Sequence, residues 1–138
     1  MVQPLADFYP KSTGRPSILL VEDERISRQA LTWLLTSSGF QTESYGSAEE
    51  ALHAAEEYLP PLALVDVDLP GMSGLELVKR LRARFPTLRV VLLTAVTGER
   101  ISRFQKEHVV GYVRKPIDFP HLLEILDRFR PHDQRQDD

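Results

Sequence analysis

The sequence predicts an α/β protein with a doubly wound parallel sheet, built from five strand–helix units in a single domain. Apolar strand-like runs alternate with amphipathic stretches along most of the 138 residues, and this alternation is typical of (βα)₅ folds. The runs from Ile18 to Val21 and from Leu62 to Val67 are almost entirely apolar, as strands are when helices cover both faces of a sheet. Right-handed crossovers place helices on both faces, and the length fits one domain.

The first two units are marked by the residues that begin and end their helices. After the strand at 18–21, a helix is expected from about Ile26 to Ser38, because Gly39 follows as a C-terminal cap. The second strand is expected at 40–44. It leads into the sequence Ser47-Ala-Glu-Glu50, a capping box that predicts a helix start. This helix should reach about Tyr58, since two prolines follow soon after.

The other three units repeat the pattern with weaker helix signals. Leucine and valine recur at helical spacing after the third strand, up to Pro86. The fourth helix has few apolar residues, mainly Ile101 and Phe104, and the last helix has Pro120 in its first turn. The remaining strands are expected at about 62–67, 89–94 and 111–113, and their helices at 74–85, 99–108 and 120–129.

Two terminal segments lie outside this pattern. Residues 1–16 contain three prolines and a glycine without sustained periodicity, so they predict an arm that leads into the domain. Residues 131–138 predict a polar C-terminal tail, and the domain itself is expected to span residues 17–130.

Trp33 is the unusual residue of the first predicted helix. Leu31, Leu34 and Leu35 supply the buried face, which leaves Trp33 on a flank of the helix. Two interpretations stay open: Trp33 is an exposed contact residue, or neighbouring side chains or aromatic residues of the arm cover it.

Composition excludes several classes of protein. The 17 Lys and Arg residues against 20 Asp and Glu residues give a net charge of -3, so nucleic acid is not an expected direct partner. No cysteine is present to form disulfides, thiolate metal sites or a cysteine nucleophile. The longest apolar runs, of which Val90 to Leu93 is one, are too short to cross a membrane, and no signal peptide is expected before the domain. A cytoplasmic location is therefore expected.

Polar residues that could carry chemistry fall where the predicted strands end. Glu22 and Asp23 follow the first strand, Asp66 ends the third, Thr94 ends the fourth and Lys115 follows the fifth. The carboxyl ends of parallel strands meet at one edge of the sheet, where doubly wound folds bind their ligands. Carboxylates clustered there repel one another unless a hard divalent cation such as Mg²⁺ lies among them. A carboxylate beside that metal can act as a nucleophile and form an aspartyl phosphate.

Four stretches of the sequence together resemble the bacterial response-regulator receiver domains of two-component signalling. They are ILLVEDE, LVDVDLPGMSGLEL, LLTA and GYVRKP, and the resemblance covers about Ser17 to Arg130. It is consistent with the flavodoxin-like strand order 2-1-3-4-5, which is taken from known folds rather than from the apolar runs.

The resemblance implies an acidic metal site and a phosphorylated aspartate. Asp66 matches the phosphoacceptor of the family, and Glu22 and Asp23 match its acidic pair. Asp23 would bind Mg²⁺ or Mn²⁺ directly and Glu22 through water, while the backbone carbonyl of Asp68 would complete the metal shell.

The resemblance also implies a switch and a set of partners. Thr94 matches the hydroxyl residue that turns toward the phosphoryl group, and Tyr112 the aromatic residue that moves with it. Lys115 matches the lysine before a cis proline, Pro116. The partners implied are a sensor histidine kinase or a histidine phosphotransfer protein, and a downstream protein target, without direct contact to nucleic acid or membrane. The only catalysis implied is self-catalysed phosphoryl acceptance and autodephosphorylation.

Part of the sequence departs from the family pattern. Thr94 and Lys115 are separated by 21 positions, one fewer than receivers usually show. The Gly-Ala pair that customarily follows the fourth helix is His108-Val109 here. The fourth helix is therefore expected to be short or displaced.

Other interpretations of the same residues stay open. The chain could be the receiver part of a larger DNA-binding regulator, an interaction module that is not phosphorylated, or a small Mg²⁺-dependent phosphohydrolase. The complete set of site residues disfavours the unphosphorylated module, and the lack of a second acid and a cap disfavours the hydrolase. Taken singly, Thr94 could be an ordinary β-branched strand residue, and Tyr112 could be an aromatic residue at the edge of the core. Gly71 and Gly74 are interpreted as turn residues that allow the chain to reverse after Pro70 and enter the next helix.

Overall fold

The computed structural model describes residues 17–95 and 109–129, and within them five parallel strands form one sheet. The strand order is β2-β1-β3-β4-β5, which confirms the predicted order 2-1-3-4-5. The strands are β1 Ser17–Val21, β2 Gln41–Tyr45, β3 Leu62–Asp66, β4 Arg89–Thr94 and β5 Gly111–Arg114.

Four helices lie among the described residues. They are α1 Arg25–Ser37, α2 Ala48–Ala55, α3 Gly74–Arg84 and α4 Phe119–Arg128, the last of which corresponds to the helix predicted at 120–129. Each begins after a residue whose side chain accepts a hydrogen bond from a backbone N–H of the first turn, and these residues are Glu24, Ser47, Ser73 and Asp118. The predicted helix at 99–108, the arm 1–16 and the tail 131–138 lie outside the described residues.

Alternating strand residues pack into two separate cores, one on each face of the sheet. Leu19, Ala63 and Val90 face one core, while Ile18, Leu62 and Val91 face the other. The first core is completed by apolar residues of α2 and α3, and the second by those of α1 and α4. This arrangement explains why β1 and β3 are buried along their whole length and why their sequences lack polar alternation.

Two features of the first half of the chain refine the predictions. The capping box is confirmed, because Ser47 Oγ accepts a hydrogen bond of 3.1 Å from the backbone N–H of Glu50. The prediction that α2 reaches Tyr58 is wrong by one turn. After Ala55 the backbone N–H groups of Glu56 and Glu57 donate to carbonyls three residues earlier, so the helix tightens into a turn before the prolines.

Trp33 on α1 has 71% of its surface exposed.

Among the described residues, no helix combines the length and the apolar composition that a membrane span requires.

Candidate functional site

The carboxyl edge of the sheet brings Glu22, Asp66 and Lys115 into direct contact. Glu22 follows β1, Asp66 is the last residue of β3 and Lys115 follows β5. Lys115 Nζ donates to Asp66 Oδ2 at 2.7 Å and to Glu22 Oε1 at 3.2 Å. The peptide bond between Lys115 and Pro116 is cis. One ammonium group therefore links two carboxylates that are 93 and 49 positions away from it in the sequence.

Asp23 adds a third carboxylate to this group. One carboxylate oxygen from each of Glu22, Asp23 and Asp66 lies within 4.8 Å of the others. Glu22 and Asp66 are buried, each with 1% of its surface exposed, whereas Asp23 is exposed. Three carboxylates, one of which faces solvent, form a group of ligands that suits Mg²⁺ or Mn²⁺. These cations prefer oxygen ligands and keep some of their bound water.

The charges of the site shift the pKa values of Glu22 and Lys115. Burial raises the pKa of Glu22, and the nearby charge of Asp66 raises it further. The hydrogen bond from the backbone N–H of Glu24 and the charge of Lys115 lower this pKa, but they do not outweigh burial. Burial alone would lower the pKa of Lys115, but its hydrogen bonds and charge interactions with Asp66 and Glu22 outweigh burial and raise it. Lys115 is therefore a cation at neutral pH.

The second oxygen of Asp66 is held by the loop between β3 and α3. The backbone N–H of Asp68 donates to Asp66 Oδ1 at 2.9 Å. Farther along this loop, the backbone N–H of Met72 donates to Glu49 Oε2 on α2 at 3.0 Å, and this bond lowers the pKa of Glu49. Both oxygens of Asp66 thus have a fixed donor, and the loop that carries Asp68 is tied to a neighbouring helix.

Gly71 and Gly74 lead the chain into α3 as predicted, because Gly71 is a turn residue with a φ of 74° and the helix begins at residue 74. Gly74 is the first residue of α3 and is buried. A Cβ placed on Gly74 would lie 2.1 Å from the backbone oxygen of Asp66. Glycine is needed here because the start of α3 passes directly against the end of β3.

Thr94 lies on β4, the strand beside that of Asp66, and Tyr112 lies on β5, one strand farther out. Asp66 is level with Leu93 in the sheet and Thr94 is level with Arg114, so Thr94 ends at the same edge as the acidic group. Thr94 is buried, and its backbone carbonyl accepts a 2.8 Å bond from the N–H of Lys115. Tyr112 lies on β5 with 37% of its surface exposed.

The sequence analysis did not single out Arg28 and Glu49, although both bind backbone groups around the site. Arg28 Nη1 donates to the carbonyls of Glu22 and Asp23, and Glu49 binds Met72. Their positions, one turn into α1 and at the start of α2, carry no motif that distinguishes them from other charged helix residues. Only the tertiary arrangement identifies them.

Mg²⁺ is expected to raise the melting temperature of the protein, and Asp23→Asn is expected to remove most of this response. A cation that binds only the native state adds about 3 kcal/mol of stability at a hundredfold excess over its dissociation constant. Without metal, Asp23→Asn should be as stable as the parent or more stable, because one clustered negative charge is gone. Thermal unfolding followed by circular dichroism, with EDTA or Mg²⁺, measures both effects.

The matched control is Glu57→Gln, which removes an exposed negative charge on the turn after α2. It should keep the full response to Mg²⁺. An Asp23→Asn protein that melts well below the parent without metal would contradict the repulsion between the clustered carboxylates.

A doubly wound sheet with this acidic group and lysine at its carboxyl edge agrees with the receiver domains that the sequence resembles, and comparison with known proteins gives the family. The family model for the response regulator receiver domain matches residues 18–127. The chain therefore belongs to the response-regulator receiver family.

Curated relatives and solved structures agree with this assignment. The polar-differentiation response regulator DivK of Brucella ovis is 33% identical over 114 residues, which are 80% of this chain and 92% of DivK. The two-component response regulator PhoP of Pseudomonas aeruginosa is 41% identical over 107 residues, 76% of this chain and 47% of PhoP. A CheY-like receiver domain protein from Methanospirillum hungatei has a TM-score of 0.79 at 27% identity, with 83% of this chain and 93% of that chain covered.

The curated relatives differ widely in length. The chain spans about a quarter to a half of several of them, including the DNA-binding transcriptional regulator NtrC of Klebsiella pneumoniae and PhoP. The shared part is the receiver domain.

Proposed function

We propose that this chain is a phosphorylation-activated switch that accepts a phosphoryl group on Asp66 in a Mg²⁺-dependent reaction. The donor would be a sensor histidine kinase or a histidine phosphotransfer protein, and the output would be contact with a downstream protein. The observation that carries this proposal is the buried carboxylate of Asp66 at the end of β3, bonded by Lys115 Nζ at 2.7 Å beside two further carboxylates.

The chemistry proposed is transfer of a phosphoryl group from nitrogen to oxygen. A carboxylate oxygen of Asp66 attacks the phosphorus of a phosphohistidine, an oxygen–phosphorus bond forms and the nitrogen–phosphorus bond breaks, with the electron pair returning to the imidazole. The ammonium of Lys115 and the hydroxyl of Thr94 would hold the transferred oxygens. Glu22, Asp23, Asp66 and the carbonyl of Asp68 would hold Mg²⁺, which when bound neutralises the charge that develops on the phosphoryl group.

Phosphorylation would also change the surface around β5. A new anion at Asp66 offers the Thr94 hydroxyl an acceptor, and its movement would vacate space that the ring of Tyr112 can enter. Tyr112 is 37% exposed, and an inward movement of its ring requires that the ring is not already buried. Two further points stay predictions. The protein is expected to catalyse no reaction besides the acceptance and loss of its own phosphoryl group, and it is expected to be cytoplasmic.

A second candidate is that the chain is the receiver part of a longer regulator. The observation that favours it is the share of its relatives that it spans, 25% of NtrC and 47% of PhoP. NtrC is named as a DNA-binding transcriptional regulator, so a following DNA-binding domain would make transcription the output. The intact mass of the native gene product separates this candidate from a stand-alone switch.

The parent protein is expected to gain the mass of one phosphoryl group when incubated with acetyl phosphate and Mg²⁺, and Asp66→Asn should gain none. The reason is that Asp66 is the buried carboxylate at the end of β3, and Lys115 Nζ lies closer to it, at 2.7 Å, than to the other buried carboxylate, Glu22, at 3.2 Å. Asp127→Asn, an exposed aspartate on α4, is the matched control and should be modified like the parent. Intact-protein mass spectrometry is the measurement, and a modified Asp66→Asn protein would refute the assignment.

A further inference from the structure

Arg28 on α1 makes two contacts with the backbone of the loop that carries the acidic pair. Its Nη1 atom donates to the carbonyl oxygen of Glu22 at 2.8 Å and to that of Asp23 at 3.3 Å. The side chain is half-buried, so water competes for the guanidinium less than it would at the surface. Because a charged donor makes stronger hydrogen bonds than a neutral one, these two contacts restrain consecutive peptide groups of the loop.

The same loop is held from the sheet side by two further hydrogen bonds. The backbone N–H of Glu22 donates to the carbonyl of Tyr45 at 3.1 Å, and the N–H of Glu24 donates to Glu22 Oε2 at 3.1 Å. These two bonds hold Glu22 in place. Asp23 is exposed, and its backbone carbonyl accepts a hydrogen bond from Arg28. The position of the Asp23 carboxylate therefore depends on Arg28 more than that of Glu22 does.

Gly46 provides the space that the guanidinium occupies. It lies between β2 and α2, and a Cβ placed there would lie 3.0 Å from Arg28 Nη1 and 3.5 Å from its Cζ. The guanidinium is thus packed between the β1–α1 loop on one side and the β2–α2 loop on the other. A side chain larger than glycine at position 46 would displace it.

We infer that Arg28 is a positioning residue for the metal site, which holds the backbone of Glu22 and Asp23 so that their carboxylates converge beside Asp66. This inference rests on the proposed Mg²⁺-dependent function. Three carboxylates within 4.8 Å repel one another, and the loop can relieve this repulsion by moving the exposed Asp23 outward. Arg28 opposes that movement, so the ligands are already in place when a cation arrives and less ordering is needed on binding.

The test is the affinity of the purified, unphosphorylated protein for Mn²⁺, measured by electron paramagnetic resonance of the free ion. Arg28→Gln is expected to weaken Mn²⁺ binding about tenfold, the lower end of the effect of losing a group that orients metal ligands. Arg28→Lys should lose less, because an ammonium can still bind one of the two carbonyls. Gly46→Ala keeps the arginine but crowds it, and should weaken binding in the same direction.

Arg25→Gln is the matched control. Arg25 is exposed in the first turn of the same helix, and its replacement removes an equal charge near the loop without removing the bonds of Arg28. It should bind Mn²⁺ like the parent. An equal loss in Arg25→Gln and Arg28→Gln would show that only charge matters and would overturn the inference.

All affinities are measured at a temperature where each metal-free variant is fully folded by circular dichroism, so a general loss of stability does not change them. Wild-type affinity in Arg28→Gln overturns the positioning role and leaves the proposed function intact. A parent protein that binds no Mn²⁺ overturns the proposed function itself. Tenfold weaker binding in Arg28→Gln, partly restored in Arg28→Lys, supports the inference.

Discussion

Gly74→Ala is expected to destabilise the protein by about 3 kcal/mol, because no room exists for a methyl group between α3 and β3. The added Cβ would lie 2.1 Å from the backbone oxygen of Asp66 and 3.0 Å from Val65 Cγ1. Alanine gains up to about 1 kcal/mol over glycine in helix propensity, and the clash exceeds that gain. Relief requires the start of α3 to move away from the end of β3, which also shifts Asp66.

Gly111→Ala is the control for this prediction. A Cβ on Gly111 would lie 3.5 Å from Ile125 Cγ2, an ordinary van der Waals distance, so its effect should stay below about 1 kcal/mol. Urea unfolding of the two variants and the parent, at constant pH and with EDTA, gives the free energies of unfolding. Equal stability of the two variants would mean that the β3–α3 junction can open at little cost, and would contradict the close approach.

The elements of the fold could be predicted well because a doubly wound sheet leaves a clear pattern. Strands β1 and β3 are buried on both faces and therefore appear as unbroken apolar runs. The strand β2 was harder to place, since it lies at the sheet edge, is half-buried and has the sequence QTESY. The strand order does not follow from these runs and came from known folds.

The end of α2 was predicted less well than its start. The start of α2 has a side-chain cap in the sequence, Ser47, and the structure has the corresponding hydrogen bond. The end of α2 has no capping glycine, and Pro60 marks only where a helix can no longer continue. The chain leaves the helix earlier, through three-residue turns at Glu56 and Glu57, which no local sequence pattern required.

The acidic group could be predicted because parallel strands end at a common edge, so residues after β1 and at the end of β3 must be neighbours. The supporting contacts could not be predicted in the same way. The contacts of Arg28 with Glu22 and Asp23, of Glu49 with Met72, and of Gly74 with Asp66 all join different elements. They depend on how each helix is rotated and tilted against the sheet, which periodicity alone does not determine.

Lys115→Met is expected to have the other large effect, because it leaves the carboxylates of Glu22 and Asp66 buried without their shared cation. Both carboxylates accept hydrogen bonds from Lys115 Nζ, and methionine keeps an apolar stem of similar length while removing the charge. Loss of one partner from a buried ion pair costs about 3 kcal/mol. The free energy of unfolding in urea at pH 7.5, without divalent metal, should fall by about this amount.

The deficit of Lys115→Met should shrink as the pH is lowered. The pKa of Glu22 is already raised in the folded parent, and Lys115 is one of the groups that lower it. Without Lys115, folded Glu22 keeps its proton to a higher pH than Glu22 in the unfolded chain. The folded state then binds more protons than the unfolded state, so the stability of the variant falls as pH rises through the folded pKa. Unfolding at pH 5.5 and pH 7.5 measures this dependence.

Mg²⁺ should restore more stability to Lys115→Met than it adds to the parent, because the cation no longer competes with an ammonium for the same oxygens. Lys79→Met, which removes an exposed lysine on α3, is the control and should match the parent in stability, pH dependence and response to Mg²⁺. A Lys115→Met protein that is as stable as Lys79→Met at pH 7.5 without metal would contradict the role of Lys115 as the counter-charge of the site. A response to Mg²⁺ no larger than that of the parent would show that lysine and metal do not share Glu22 and Asp66.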